Sequence, residues 1–120
     1  MGRKGRRLRK RQRSAHTNKH HLLFQRVHYS SGYGFLLRQR FVYELDIDIH
    51  NRLHRDILHD VPKPSEKALE AVWRAYDEHR AEVDELDIVE ACKWLADACS
   101  DNAWRACMMR QYWYLFSELY

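Results

Sequence analysis

Glycine and proline are scarce in this chain, 4 and 2 of its 120 residues, which argues against a many-turned all-β fold. No apolar run approaches the roughly 20 residues that a transmembrane helix needs. The basic N-terminus is followed by no apolar stretch of the kind that marks a secretory signal. There is no Gly-rich phosphate loop, no nucleophile elbow and no Cys-x-x-Cys pair. The three cysteines, Cys92, Cys99 and Cys107, are odd in number and fall in an apolar, helical pattern. They read as reduced, buried side chains, which fits a reducing cytoplasm and excludes a disulfide framework. What the chain does have is enough aromatic side chains for a core, with 4 Trp, 7 Tyr and 4 Phe.

Charge is distributed unevenly. Residues 1–13 carry Arg3, Lys4, Arg6, Arg7, Arg9, Lys10, Arg11 and Arg13 and no acid, a charge of +8. Residues 14–60 come to +1 and residues 61–120 to −5, which together give the net charge of +4. A block of like charge repels itself and buries nothing, so a disordered arm is expected over residues 1–15. Its expected partner is a phosphate backbone, DNA or RNA, because each cation that displaces a condensed counterion adds to binding. Arginine outnumbers lysine in the arm, and its bidentate fork suits phosphate. Arg26, Arg38 and Arg40 lie among aromatic residues and could hold further phosphates. The acidic half should face away from nucleic acid, or meet a basic protein surface.

The hydrophobic pattern predicts a mainly α protein. It reads as a small helical domain of about four helices, with at most a short β element near residues 22–45. Ser30-Ser31-Gly32 and Gly34 mark a turn. Residues 35–40 fit either a short helix or the lead-in to a strand. Residues 41–49 alternate with a period of two and read as a half-buried strand that ends near Leu45. Asp46 or Asp48 would then cap a helix running to about Asp60, which Val61-Pro62-Lys63-Pro64 breaks. Ser65 caps a helix of about 16 residues. Asp87 and Glu90 form a capping box for the next helix, and Ser100 or Asp101 starts the last. That last helix is apolar nearly all round. Trp104, Met108, Tyr112, Trp113 and Phe116 are candidates for a partner or homodimer interface. The expected organisation is an arm (1–15), a His-rich unit (16–62) and a three-helix part (63–120) packed with it as one domain.

Seven of the 8 histidines fall within residues 16–59. His50 and His54 stand at i and i+4 on the expected helix, so both imidazoles point the same way, a spacing that suits two ligands on one metal. His20-His21 lies about thirty residues upstream, within reach of the same place. A doubled histidine, a turn, a strand and a helix with His50-Asn51-Arg52-Leu53-His54 resemble the ββα-metal core of His-Asn-His (HNH) endonucleases, over residues 18–60. That resemblance implies His20 as an upstream metal ligand and His21 as the base that activates water. It implies His50 or His54 as the helix ligand, with Mg²⁺, Mn²⁺ or Zn²⁺ as the metal. The family's middle asparagine has no counterpart near Phe41–Tyr43; Asn51 stands inside the helix motif instead.

Three functions are compatible with these residues. The leading expectation is a small nucleic-acid-binding accessory protein that grips a phosphate backbone with its arm and needs no cofactor. Its size and composition, unlike those of a housekeeping enzyme, suit a phage or mobile-element product. The alternative is a metal-dependent endonuclease built on His20, His21, His50 and His54. A third reading is an anti-defence inhibitor of a host nucleic-acid-handling complex, such as a CRISPR or other defence nuclease, acting through the aromatic, acidic C-terminal half.

Overall fold

A computed structural model describes residues 16–120. The basic arm, and with it the candidate contacts Arg3, Lys4, Arg6, Arg7, Arg9, Lys10, Arg11 and Arg13, lies outside the described residues. The elements, in order, are β1 (Thr17–His21), α1 (Gly32–Arg40), β2 (Val42–Asp46), α2 (Ile47–Asp56), α3 (Glu66–Glu78), α4 (Arg80–Asp84), α5 (Ile88–Ala98) and α6 (Asn102–Leu119). The protein is mainly helical with one small two-stranded sheet, as the pattern predicts. No described helix is long and apolar enough to cross a membrane.

The sheet is an antiparallel pair in which Thr17 faces Asp46, His20 faces Tyr43 and His21 faces Val42. Leu22 N–H donating to Phe41 O (3.0 Å) and Ile47 N–H donating to His16 O (3.0 Å) extend the ladder at its two ends. The first strand therefore lies upstream of the expected window of residues 22–45. Asn18, Lys19 and His20 have little intrinsic strand preference, and it is pairing with the Val42–Asp46 strand that holds them extended. Leu22 and Leu23, the first residues of that window, follow the strand and are buried in the core.

The second strand ends where an aspartate can start a helix. Asp46 Oδ1 accepts from Asp48 N–H (2.9 Å) and Ile49 N–H (3.2 Å), so α2 follows β2 with no intervening loop. The helix stops at Asp56, short of Asp60. Ser65 caps α3 through Ala68 N–H (3.1 Å). Asp87 and Glu90 form the reciprocal box on α5, and Asp101 caps α6 through Trp104 N–H (2.9 Å). The long helix expected from Ser65 is interrupted at His79, after which α4 continues as a separate short turn.

Helix α1 begins earlier than expected, and Gly32 and Gly34 lie inside it. Gly32 takes φ +69°, and a Cβ there would collide with the Glu66 carboxylate. That carboxylate accepts from Tyr33 N–H (2.7 Å), so a residue of α3 satisfies the first turn of α1, where Ser31 makes no side-chain cap. Gly34 is buried against Tyr29 and Leu69; a Cβ would lie 2.6 Å from Tyr29 Cδ1. The glycines therefore allow α1 to approach α3 closely.

One core runs from Leu22 through Leu45, Leu53, Leu69 and Leu95 to Leu119. At its centre Trp104 Nε1–H donates to the Tyr29 hydroxyl (2.8 Å), satisfying the two most polar atoms of the buried aromatic cluster. Cys92, Cys99 and Cys107 are free and buried. Trp104 (0 % exposed) and Met108 (2 % exposed) are core residues and not interface residues. Their stripe of α6, with Cys107, Leu115 and Leu119, packs inward. On the opposite side, Trp113 and Phe116 are exposed and Tyr112 is half-buried, their rings in contact with one another.

Candidate metal centre and its cationic rim

Side chains alternate along β1, so His20 points into the protein while Lys19 is exposed and His21 is half-buried. On α2, His50 and His54 follow one another on a single face. Because α2 starts at the last residue of β2, that face lies against β1. The three rings meet edge to face: His20 and His50 have centroids 5.2 Å apart, His20 and His54 5.3 Å, and His50 and His54 4.5 Å. One ring nitrogen from each lies within 4.8 Å of the others. Phe24 closes the cluster against His54, with centroids 4.7 Å apart. His20, His50 and His54 are thus brought together as expected of metal ligands, and among the described residues no carboxylate or thiol joins them.

His20 is fully buried, and its Nε2 lies 2.6 Å from Gln111 Oε1 of α6. Its Nδ1, and the Nδ1 of His50, are buried with no hydrogen-bond partner among the described residues. Burial pushes the His20 imidazolium down to a pKa of about 3, against the opposing effect of the Gln111 hydrogen bond and with help from His54 and His50. Burial also lowers His54, aided by His50, and lowers His50 against the opposing effect of a hydrogen bond with Asn51. All three are therefore neutral imidazoles near pH 7, the protonation state that a metal ligand requires. Two orphaned buried nitrogens and three converging neutral donors fit a divalent cation. An all-nitrogen set suits Zn²⁺ and its first-row neighbours better than Mg²⁺, which prefers oxygen.

His21 stands outside the trio, on the rim. Burial, then Arg38, Lys19, Arg26 and His50, hold its pKa below the usual histidine range. Burial and the nearby Arg26 likewise lower Arg38, whose Nε is buried with no hydrogen-bond partner among the described residues. Among the described residues, no acid forms an ion pair with Lys19, Arg26 or Arg38. Arg52, Arg55, Arg74, Arg80 and Lys93, by contrast, each pair with a carboxylate. Glu44 stands across the strand pair from Lys19, and Lys19, Arg26 and Arg38 each act on the His21 ring. Arg40, expected to act with Arg26 and Arg38, instead lies beside Tyr76. The remaining histidines of the region, His16, His28 and His59, take no part in the cluster.

Sequence reasoning missed Gln111. Its only signal was a polar residue within the inward stripe of α6, between Met108 and Leu115. Neither a protein-family profile, nor a curated protein, nor a solved structure matches the chain.

Proposed function

We propose that this protein is a small metal-dependent nuclease that cuts the phosphodiester backbone of nucleic acid. One observation carries the reading: His20 on β1 and His50 and His54 on α2 converge within 4.8 Å. They do so on an antiparallel strand pair, joined by a connection that contains α1, whose second strand runs directly into α2; a strand pair followed by a ligand-bearing helix is what the resemblance to His-Asn-His endonucleases implies. The cation would be held by His20, His50 and His54. The chemistry it supplies when bound is Lewis-acid stabilisation of charge developing on the phosphate.

The chain's own residues supply the rest. Arg38 and Arg26 bind the phosphate oxygens, since neither is occupied by an acid among the described residues. His21, kept neutral by burial and by the cations beside it, accepts the proton of the attacking water as its oxygen bonds to phosphorus; the bond from phosphorus to the departing sugar oxygen breaks, and that oxygen takes a proton from solvent. The same cations that hold the phosphate thus keep the base unprotonated. Outside the described residues, the arm adds sequence-independent grip on the backbone.

The test is incubation with supercoiled plasmid and with single-stranded RNA in Zn²⁺, Mn²⁺, Mg²⁺ or EDTA, beside a His21→Ala variant checked for folding by circular dichroism. The expected result is cleavage that needs added metal, vanishes in EDTA and falls at least about 100-fold in the variant, the contribution of a general base. Cleavage independent of His21, or none with any metal, overturns the reading. A second reading, a nucleic-acid-binding accessory protein that does not cut, is favoured by the eight cations of residues 1–13. It predicts retarded migration, reversed by salt, without cleavage.

A further inference from the structure

We propose that Gln111, which lies in α6 outside the strand pair and α2, is a positioning residue that fixes the tautomer of His20 and so presents Nδ1 as the metal-ligating atom. The inference rests on the metal reading above.

The argument starts from donors and acceptors. An amide oxygen can only accept, so the 2.6 Å contact with Gln111 Oε1 requires His20 Nε2 to carry the hydrogen. The amide's orientation is set on its other side, where Gln111 Nε2–H donates to Met108 Sδ (3.1 Å). Turning the amide over would set its oxygen against the sulfur lone pairs, with loss of that contact, and would make His20 Nε2 the acceptor. Both Gln111 (1 % exposed) and His20 (0 % exposed) are sealed from solvent, so no bulk water competes for the contact. With the hydrogen on Nε2, Nδ1 holds a lone pair, and this buried acceptor has no donor among the described residues. A buried acceptor without a partner is costly unless something fills it, and a cation shared with His50 and His54 fills it. Ligating histidines commonly donate their second ring N–H to a fixed acceptor, which orients the ring and raises its basicity. Gln111 supplies that acceptor from 91 residues away.

Two measurements decide it. In the metal-free wild-type protein at pH 7.5, a long-range ¹H–¹⁵N spectrum should show His20, assigned through its backbone, as the Nε2–H tautomer. Titration with Co²⁺ alone should then show affinity 10–100-fold weaker in Gln111→Leu than in wild type, the usual range for loss of such a partner. Gln111→Glu, whose carboxylate still accepts from Nε2–H, should restore most of the affinity. A wild-type Nδ1–H tautomer overturns the proposal without recourse to any variant. So does unchanged Co²⁺ affinity in a Gln111→Leu protein with wild-type circular dichroism, or equal loss in Gln111→Leu and Gln111→Glu. Failure of the wild type to bind Co²⁺ sinks the metal reading, and the ring-nitrogen spectrum tells that result apart from failure of the Gln111 assignment.

Discussion

At the scale of single residues, His20 has the most to lose from acid. Folded, it resists protonation down to about pH 3; unfolded, it takes a proton near the ordinary histidine value of 6.5. Above pH 6.5 neither state is protonated and His20 adds no pH dependence. Below it the unfolded state binds the extra proton, so stability falls as pH drops, by about 1.4 kcal/mol per pH unit for this one group. His50 and His54 act in the same direction but are partly exposed, so their share is smaller. Urea unfolding of the EDTA-treated protein from pH 7.5 to pH 5 should show the midpoint nearly level down to about pH 6.5 and falling below it. A midpoint that holds steady or rises across that window contradicts a buried, neutral His20. The trio itself was legible in the sequence, because the i, i+4 spacing on an amphipathic helix and a doubled histidine upstream are local signals. Gln111 was not, since its partner stands 91 positions away and only the packed α6 brings the two together.

At the scale of elements, the hinge between β2 and α2 depends on one side chain. Asp46 ends the strand and accepts two N–H groups of the next turn, so it also sets the direction in which the helix bearing His50 and His54 leaves the strand pair. Asp46→Ala should cost about 1 kcal/mol, a typical N-cap loss, and lower the melting temperature by several degrees. Asp48→Ala, which removes no capping acceptor, should cost less. If calorimetry gives the two variants equal melting temperatures, Asp46 is not the cap that fixes the helix. Caps of this kind were readable beforehand at Ser65 and at Asp87 with Glu90, and to within one alternative at Asp46 or Asp48 and at Ser100 or Asp101, because each satisfies backbone groups within three residues. Helix α1 escaped the same reading. Its first turn is satisfied by Glu66 from another helix, and its glycines serve close packing where the pattern suggested a turn. The outward residues of α6 followed the two-sided pattern only in part. Trp104 and Met108 share its inward stripe, and periodicity alone did not say which side the core would take.

At the scale of the whole molecule, the two signs of charge are used differently. The acidic half answers its own charges through Glu70 with Arg74, Asp77 with Arg80 and Asp97 with Lys93. Lys19, Arg26 and Arg38, which form no ion pair among the described residues, belong to β1, the segment after it and α1. In the sequence they follow the arm with its eight further cations. Polyanion binding should therefore be divided between a sequence-independent grip by the arm and a short phosphate contact at the rim. The two parts scale differently with salt. Each neutralised phosphate contributes about 0.9 to the slope of log affinity against log salt concentration on duplex DNA. Deleting residues 2–13 should thus weaken binding sharply at low salt and flatten the slope by up to roughly 7 units, if all eight cations meet phosphates. Arg38→Ala should change the slope by about 1 unit at most, yet lower cleavage at saturating substrate, because Arg38 acts where the bond is cut. Fluorescence anisotropy across a salt series, with plasmid cleavage measured in parallel, separates the two. Deletion of the arm without effect on the slope would move the grip to the folded domain. A cleavage loss in the deletion variant that persists at saturating substrate would mean that the arm also reaches the reacting phosphate.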